Sequence, residues 1–177
     1  FVDTDEEIVS KEGRSILEIF TQIGESVFRD LEFEVVRWAC EAENVVISTG
    51  GGAISDVRTR ETMLSQGIVV CLEANPETIY RRLGAAERRA NSLQERPLLA
   101  GPDMLVNITS LKMQRQPMYS LAHWTVHTDS LTENQVANEV IRGWRMLLEL
   151  GSRPDSASVP IITHNRTCVV RTSSGSY

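Results

Sequence analysis

Lysine is almost missing from this sequence. Of its 18 basic residues only Lys11 and Lys112 are lysines, and the rest are arginines. With a net charge of −6, the chain does not read as a general nucleic-acid binder. Cysteine is scarce as well. Cys40, Cys71 and Cys168 stand far apart, with no CxxC and no histidine at ligand spacing, which speaks against a cysteine metal site. Cys40 and Cys71 sit in apolar contexts and read as reduced core residues, so a cytoplasmic setting is expected. No apolar run is long enough for a membrane span, and no signal-peptide pattern is present. The sequence opens at Phe1 on a strand-like pattern, and a fragment or a processed product is expected.

Arginine, by contrast, is abundant, and its forked guanidinium suits bidentate contacts with carboxylates and phosphates. At 177 residues the chain is long enough for one domain with a proper core. Its most telling stretch is Val45-Val46-Ile47-Ser48-Thr49-Gly50-Gly51-Gly52-Ala53. A β-branched run ending in hydroxyls and three glycines reads as a buried strand opening into a loop. One glycine would signify a turn needing positive φ; three in a row favour close backbone approach to a ligand. In open α/β sheets ligands bind beyond the carboxyl ends of strands, where this loop lies.

Other elements follow from pattern. Phe1 to Asp5 reads as the end of a strand, with Asp3 and Asp5 on one face. Ser15 and Glu18 have capping-box spacing for a short helix stopped by Gly24. Phe28, Leu31, Val35 and Trp38 mark an amphipathic helix from Glu25 to about Asn44. Asp56 is placed to cap a helix ending before Gly67, and Ile68 to Leu72 reads as a second buried strand. Asn75-Pro76 starts a helix through about Leu83. Gly84 to Asp103, arginine-rich and aperiodic, reads as a long functional loop or lid. A helix from about Met104 to Arg115, a strand from Trp124 to Thr128, and a helix capped by Thr132 and Gln135 and ended by Gly151 complete the rhythm. Strands alternating with helices imply a parallel sheet covered on both faces, an α/β fold in three layers. Ser152 to Ser158 suits a linker, after which Val159 to Ile162 and Thr167 to Val170 read as strands without a helix between them. Residues 1–151 are therefore expected to form one domain, and 152–177 a linker and the start of another.

The polar groups gather at strand ends: Asp3 and Asp5 after the first, Ser48 to Gly52 after the second, with Arg29, Arg82, Arg96 and Arg115 from helices and the lid. Chemically this suits an anionic substrate and a phosphate-bearing partner. Arginines neutralise carboxylate and phosphate, carboxylates orient a hydroxyl or hold Mg²⁺ through water, and glycine amides face phosphate oxygens. Each residue also has a plainer reading. Asp3 and Asp5 suit turns or caps, and Arg29 alone suits a solvated helix surface. Tyr119 reads as core, and neither His123 nor His127 as catalytic or metal-binding.

Six motifs in order carry a resemblance. They are Phe1-Val2-Asp3-Thr4-Asp5; Gly13-Arg14-Ser15-Ile16 with Ile19-Phe20; Gly24-Glu25 with Phe28-Arg29 and Glu32; Thr49-Gly50-Gly51-Gly52; Arg96-Pro97-Leu98-Leu99; and Arg115 with Pro117 and Tyr119. Over roughly Phe1 to Leu150 the chain resembles shikimate kinase. The resemblance implies a P-loop kinase fold of nucleoside-monophosphate-kinase type, a parallel sheet of order 2-3-1-4-5 and a mobile lid. It implies ATP-dependent phosphorylation of shikimate to shikimate 3-phosphate in aromatic amino-acid biosynthesis, with ATP as co-substrate and Mg²⁺ as cofactor. Asp5 would bind the shikimate hydroxyls and help activate the acceptor. Asp3, and less directly Ser48, would meet Mg²⁺ through water. Arg29 and Arg115 would clamp the carboxylate, with Gly51 and Gly52 adding backbone contacts. Arg96 would reach the transferring phosphate, and Arg82 would lie by the adenine.

Two departures stand out. The sequence has no G-x-x-G-x-G-K-[ST] loop. The family's first strand is expected to be absent with it, leaving a gap between strands 45–49 and 68–72. The chain alone is then expected neither to bind ATP usefully nor to fold stably. The second departure is the lid, where Ala85 to Glu95 looks longer than is usual in the family. The tail, Thr167 to Thr172 with Ser176-Tyr177, has a weak similarity to the opening strand of 3-dehydroquinate synthase, which implies a covalent fusion of two pathway enzymes. Alternatives are a related small-metabolite kinase such as gluconate kinase, or a catalytically dead binding module.

Overall fold

The computed structural model describes residues 1–90, 103–151 and 168–172, with side chains placed for 1–85 and 103–150. Five strands form one parallel sheet: β1 (Val2–Asp3), β2 (Val46–Thr49), β3 (Ile68–Glu73), β4 (Trp124–His127) and β5 (Cys168–Thr172), in the spatial order β1-β2-β5-β3-β4. The helices are α1 (Thr4–Glu12), α2 (Ile16–Glu18), α3 (Glu25–Cys40), α4 (Val57–Gln66), α5 (Pro76–Ala90), α6 (Met104–Tyr119) and α7 (Glu133–Gly151).

Strand alternation explains the layers. Val69 and Ile47 face α3 and α4, packing with Val36, Ala39 and Met63. Ile68 and Val70 point the other way and meet Val126 and the α7 stripe of Val136, Val140, Trp144 and Leu147. The central sheet is thus covered on both sides, as its near-continuous apolar strands require. Contact between β4 and α7 is close: a Cβ on Gly143 would come within 2.5 Å of the Trp124 indole.

Sequence signals placed most caps correctly. Ser15 and Glu18 form a reciprocal capping box, Asp56 accepts from the amides of Arg58 and Thr59, and Thr132 and Gln135 cap α7. Gly24, at φ 110°, closes a π-turn over Ile19–Ile23 and launches α3.

Four expectations are corrected. The first strand ends at Asp3, because Asp3 caps a helix: its Oδ1 accepts from the amides of Asp5 and Glu6 at 3.0 and 3.3 Å. Asp3 and Asp5 therefore do not share a strand face. The helix expected to stop near Leu83 continues to Ala90, so 84–90 are helical and not part of a loop; 91–102 lie outside the described residues. The helix starting at Met104 runs through Pro117 to Tyr119. Proline there removes only the bond to the carbonyl of Met113, which is largely exposed, and Ser120 still donates to Gln116. Last, the expected gap is filled. β5 lies in parallel register with both neighbours, Val169 beside Ile47 on one side and Val69 on the other, so the sheet is continuous. Residues 168–172, expected to open a second domain, occupy the sheet's centre here. The linker and Val159 to Ile162 lie outside the described residues.

Candidate active site

Two chain segments build the site at the β1–β2 end of the sheet. The first is the start of α1. Asp3 caps it, and Asp5, Glu6 and Glu7 fill its first turn, where the helix dipole favours negative charge. The second is α3, whose buried stripe of Phe28, Val35, Val36 and Ala39 also contains a carboxylate, Glu32, at 1% exposure. A buried glutamate needs a partner, and Arg29 one turn earlier supplies it at 2.8 Å. Arg29 also bonds Glu25 at 3.0 Å and lies over the rings of Phe28 and Phe20. Its side chain is only 11% exposed, so it is no solvated helix arginine. Burial works against its charge, but Glu32 and Glu25 outweigh that and hold its pKa above the ordinary value.

Asp5 faces this pair. Burial, then the charges of Glu32 and Asp3, push its pKa up to about 7 against the opposing pull of Arg29. Its Oδ1 is buried with no hydrogen-bond partner, as are the hydroxyls of Thr4 and Thr49 nearby in sequence and sheet. A carboxyl poised near neutrality, with one oxygen lacking a donor, is suited to accept a proton from a bound hydroxyl. Ser48 stands beside Asp3, its register partner across the β1–β2 ladder.

The glycine loop follows directly on β2. Gly50, Gly51 and Gly52 are buried, and the loop turns on bonds from Ala53 to Gly50 and Ser55 to Gly52. Among the described residues positive φ falls on Gly13, Gly24 and Asn44, so left-handed geometry does not explain the triplet. Tyr119 donates its phenol proton to the Gly51 carbonyl at 2.9 Å. One turn back on α6, Arg115 is buried at 8% exposure.

A family model for shikimate kinase matches residues 1–144. The chain belongs to the shikimate kinase family. A shikimate kinase of Symbiobacterium thermophilum is 40% identical over 154 residues, 86% of this chain and 84% of that protein. One from Deinococcus radiodurans is 38% identical over 148 residues, 82% and 71%. Among solved structures, shikimate kinase from Acinetobacter baumannii in complex with shikimate superposes with a TM-score of 0.72. It is 30% identical and covers 86% of this chain and 80% of that one. Shikimate kinase from Bacteroides thetaiotaomicron gives 0.69 at 34% identity, covering 84% and 83%. The architecture is thus that of a P-loop kinase.

Of the residues expected in a shikimate kinase site, Asp3, Asp5, Arg29 and Ser48 come together around β1. Arg115 shares α6 with Tyr119, which bonds the Gly51 carbonyl, and α6 contacts the 3₁₀ turn that follows Gly52. Arg82 stands elsewhere: it hydrogen-bonds the hydroxyl and carbonyl of Thr128 after β4. Arg96 lies outside the described residues. His123 accepts from the Val69 amide through Nδ1, and burial lowers its pKa, a structural role in keeping with its apolar setting. Glu32 had no role assigned from sequence. A carboxylate at a core position of an amphipathic helix, three residues after an arginine, was the available signal. For Mg²⁺, no group of three or more His, Cys, Asp or Glu among the described residues is arranged to hold the ion directly. Asp3 and Ser48, side by side, suit an outer, water-mediated contact, which Mg²⁺ commonly uses.

Proposed function

We propose that the chain carries the acceptor side of a shikimate kinase and acts in ATP-dependent phosphorylation of shikimate. The observation that carries this is Asp5, raised to about 7, with a buried oxygen awaiting a donor beside the Arg29–Glu32 pair. Arg29 and Arg115 receive the shikimate carboxylate. Nη1 and Nη2 of Arg29 each spend one hydrogen on a glutamate and keep another. Asp5 accepts the proton of the reacting hydroxyl as its oxygen attacks the γ-phosphorus and ADP leaves. Gly51 and Gly52 support the ring through backbone contacts. Asp3 and Ser48 would hold Mg²⁺ through water, and the ion would supply charge neutralisation on the phosphates. Arg96 serves the transferring phosphate and Arg82 the adenine, both by family resemblance.

The 177 residues contain no glycine-rich lysine loop, so the phosphate-binding wall comes from residues outside this sequence. The weak similarity of Thr167 to Thr172, with Ser176-Tyr177, to 3-dehydroquinate synthase supports a fused, cytoplasmic, two-enzyme polypeptide, but the kinase sheet reaches beyond residues 1–151, because 168–172 complete it as β5. A parent gene encoding no synthase-like NAD-binding segment would sink the fusion. Calorimetry tests the acceptor role. Shikimate should bind the chain without nucleotide, and Asp5→Ala should weaken binding by about 100-fold. No shikimate binding by the parent chain would overturn the reading. Turnover with ATP by these 177 residues alone would overturn the need for an outside loop.

A further inference from the structure

Arg115 and Tyr119 are one helical turn apart on α6, and both are buried. The Tyr119 ring packs with Ile54 and Cys71, while its hydroxyl reaches the Gly51 carbonyl at 2.9 Å. α6 also packs on the 3₁₀ turn, Ala53–Ser55, directly after the glycines. Three consecutive glycines give the loop backbone unusual freedom, and Gly51 has no side chain with which to anchor itself. The phenol supplies that anchor from another element.

From this geometry we infer that Tyr119 is a positioning residue for the acceptor site. It fixes the Gly51 peptide relative to Arg115 and sets the distance between the backbone and guanidinium contacts to one substrate. α6 thereby acts as a rigid ruler. Arg115 is carried at one end of its last turn and the glycine loop is gripped at the other. Pro117 between them deprives that turn of one backbone bond, which makes the outside anchor more consequential. The inference rests on the acceptor role proposed above, and its test separates the two.

Tyr119→Phe keeps the ring and removes only the donor. Calorimetry with shikimate on the full 177-residue chain should show about a tenfold weaker Kd, with unchanged stoichiometry, because the Gly51 carbonyl loses its buried partner and the peptide reorients. Cys71→Ala, which loosens packing around the same ring and leaves the hydroxyl, should lower the melting temperature and leave Kd within about twofold. In a double-mutant cycle with Arg115→Lys, the Tyr119→Phe effect should shrink to under half, since the ruler then has only one end. An unchanged Kd in Tyr119→Phe, loss of binding that appears only as reduced stoichiometry, additive effects in the cycle, or an equal loss in Cys71→Ala would each overturn the positioning role. Absence of shikimate binding by the parent chain would overturn the acceptor role and this inference together.

Discussion

Around β3 and β4 the polar groups that leave water find protein partners. Arg82 holds Thr128, Lys112 pairs with Glu73, Asp129 accepts from the Asn75 amide, and His123 completes the β3 edge through Val69. Among the described residues, the buried atoms left over there are Trp124 Nε1 and, on α4 against β3, Thr59 Oγ1. Around β1 and β2 the pattern reverses. Asp5 Oδ1, Thr4 Oγ1 and Thr49 Oγ1 are buried without partners, and three carboxylates, Glu25, Glu32 and Asp5, share a single arginine. Both halves share one sheet and similar apolar packing, so the contrast is not one of overall stability. One half is finished as a structure, whereas the other keeps buried polar atoms that the proposed acceptor role would satisfy with a ligand's hydrogen-bond donors.

The comparison depends on the halves being joined, and β5 is the joint. Val170→Pro removes an amide from the strand flanked by both β2 and β3. It should cost about 3 kcal/mol or more, read as a lower urea midpoint. A loss below about 1 kcal/mol would mean that the halves hold together without β5. A smaller effect is expected in the finished half. Gly143→Ala drives a methyl into Trp124 and should cost about 1–3 kcal/mol, with a changed near-ultraviolet signal from the indole. An unchanged thermal midpoint would show that the α7–β4 contact has slack.

The smallest effect has the opposite sign. Asp5 has its folded-state pKa raised from 3.8 to about 7, so the folded state holds an extra proton between those values. Its contribution to stability is complete below pH 3.8 and is lost as pH rises through about 7. Asp5→Asn, which cannot ionise, should therefore be more stable than the parent above pH 7. The gain should be about 1–2 kcal/mol after allowance for solvent screening, and it should fade as the pH falls toward 4. It should bind shikimate poorly throughout. Parallel stability curves for the two proteins across this range would refute the crowding of Asp5.

Much of this was legible in the sequence, and the failures have physical causes. Caps such as Ser15, Asp56 and Thr132 announce themselves because a side-chain oxygen at fixed spacing satisfies local amides. The apolar stripes of α3 and α7 likewise declare which way they face. Asp3 misled because a cap and a strand end have the same composition, and only the path of the chain after it decides. Pro117 misled because its cost depends on whether the orphaned carbonyl can reach water. β5 was legible as a strand at Thr167 to Val170, but its place was not: that is decided by an open slot between β2 and β3, formed by residues about a hundred positions earlier. In the site, Asp5 and Arg29 were found through motif order, whereas the burial that tunes Asp5 and the phenol gripping Gly51 are tertiary facts.

The position of β5 also sets a timetable. It is the last of the described elements in the chain, yet it joins the β1–β2 pair to the β3–β4 pair. When these 177 residues fold, each pair exposes an unpaired inner edge until residues 168–172 dock between β2 and β3. Such distant parallel pairings carry a large loop-closure cost and form slowly. These residues, refolding on their own, therefore pass through an interval with two open strand edges, when they are most exposed to intermolecular pairing.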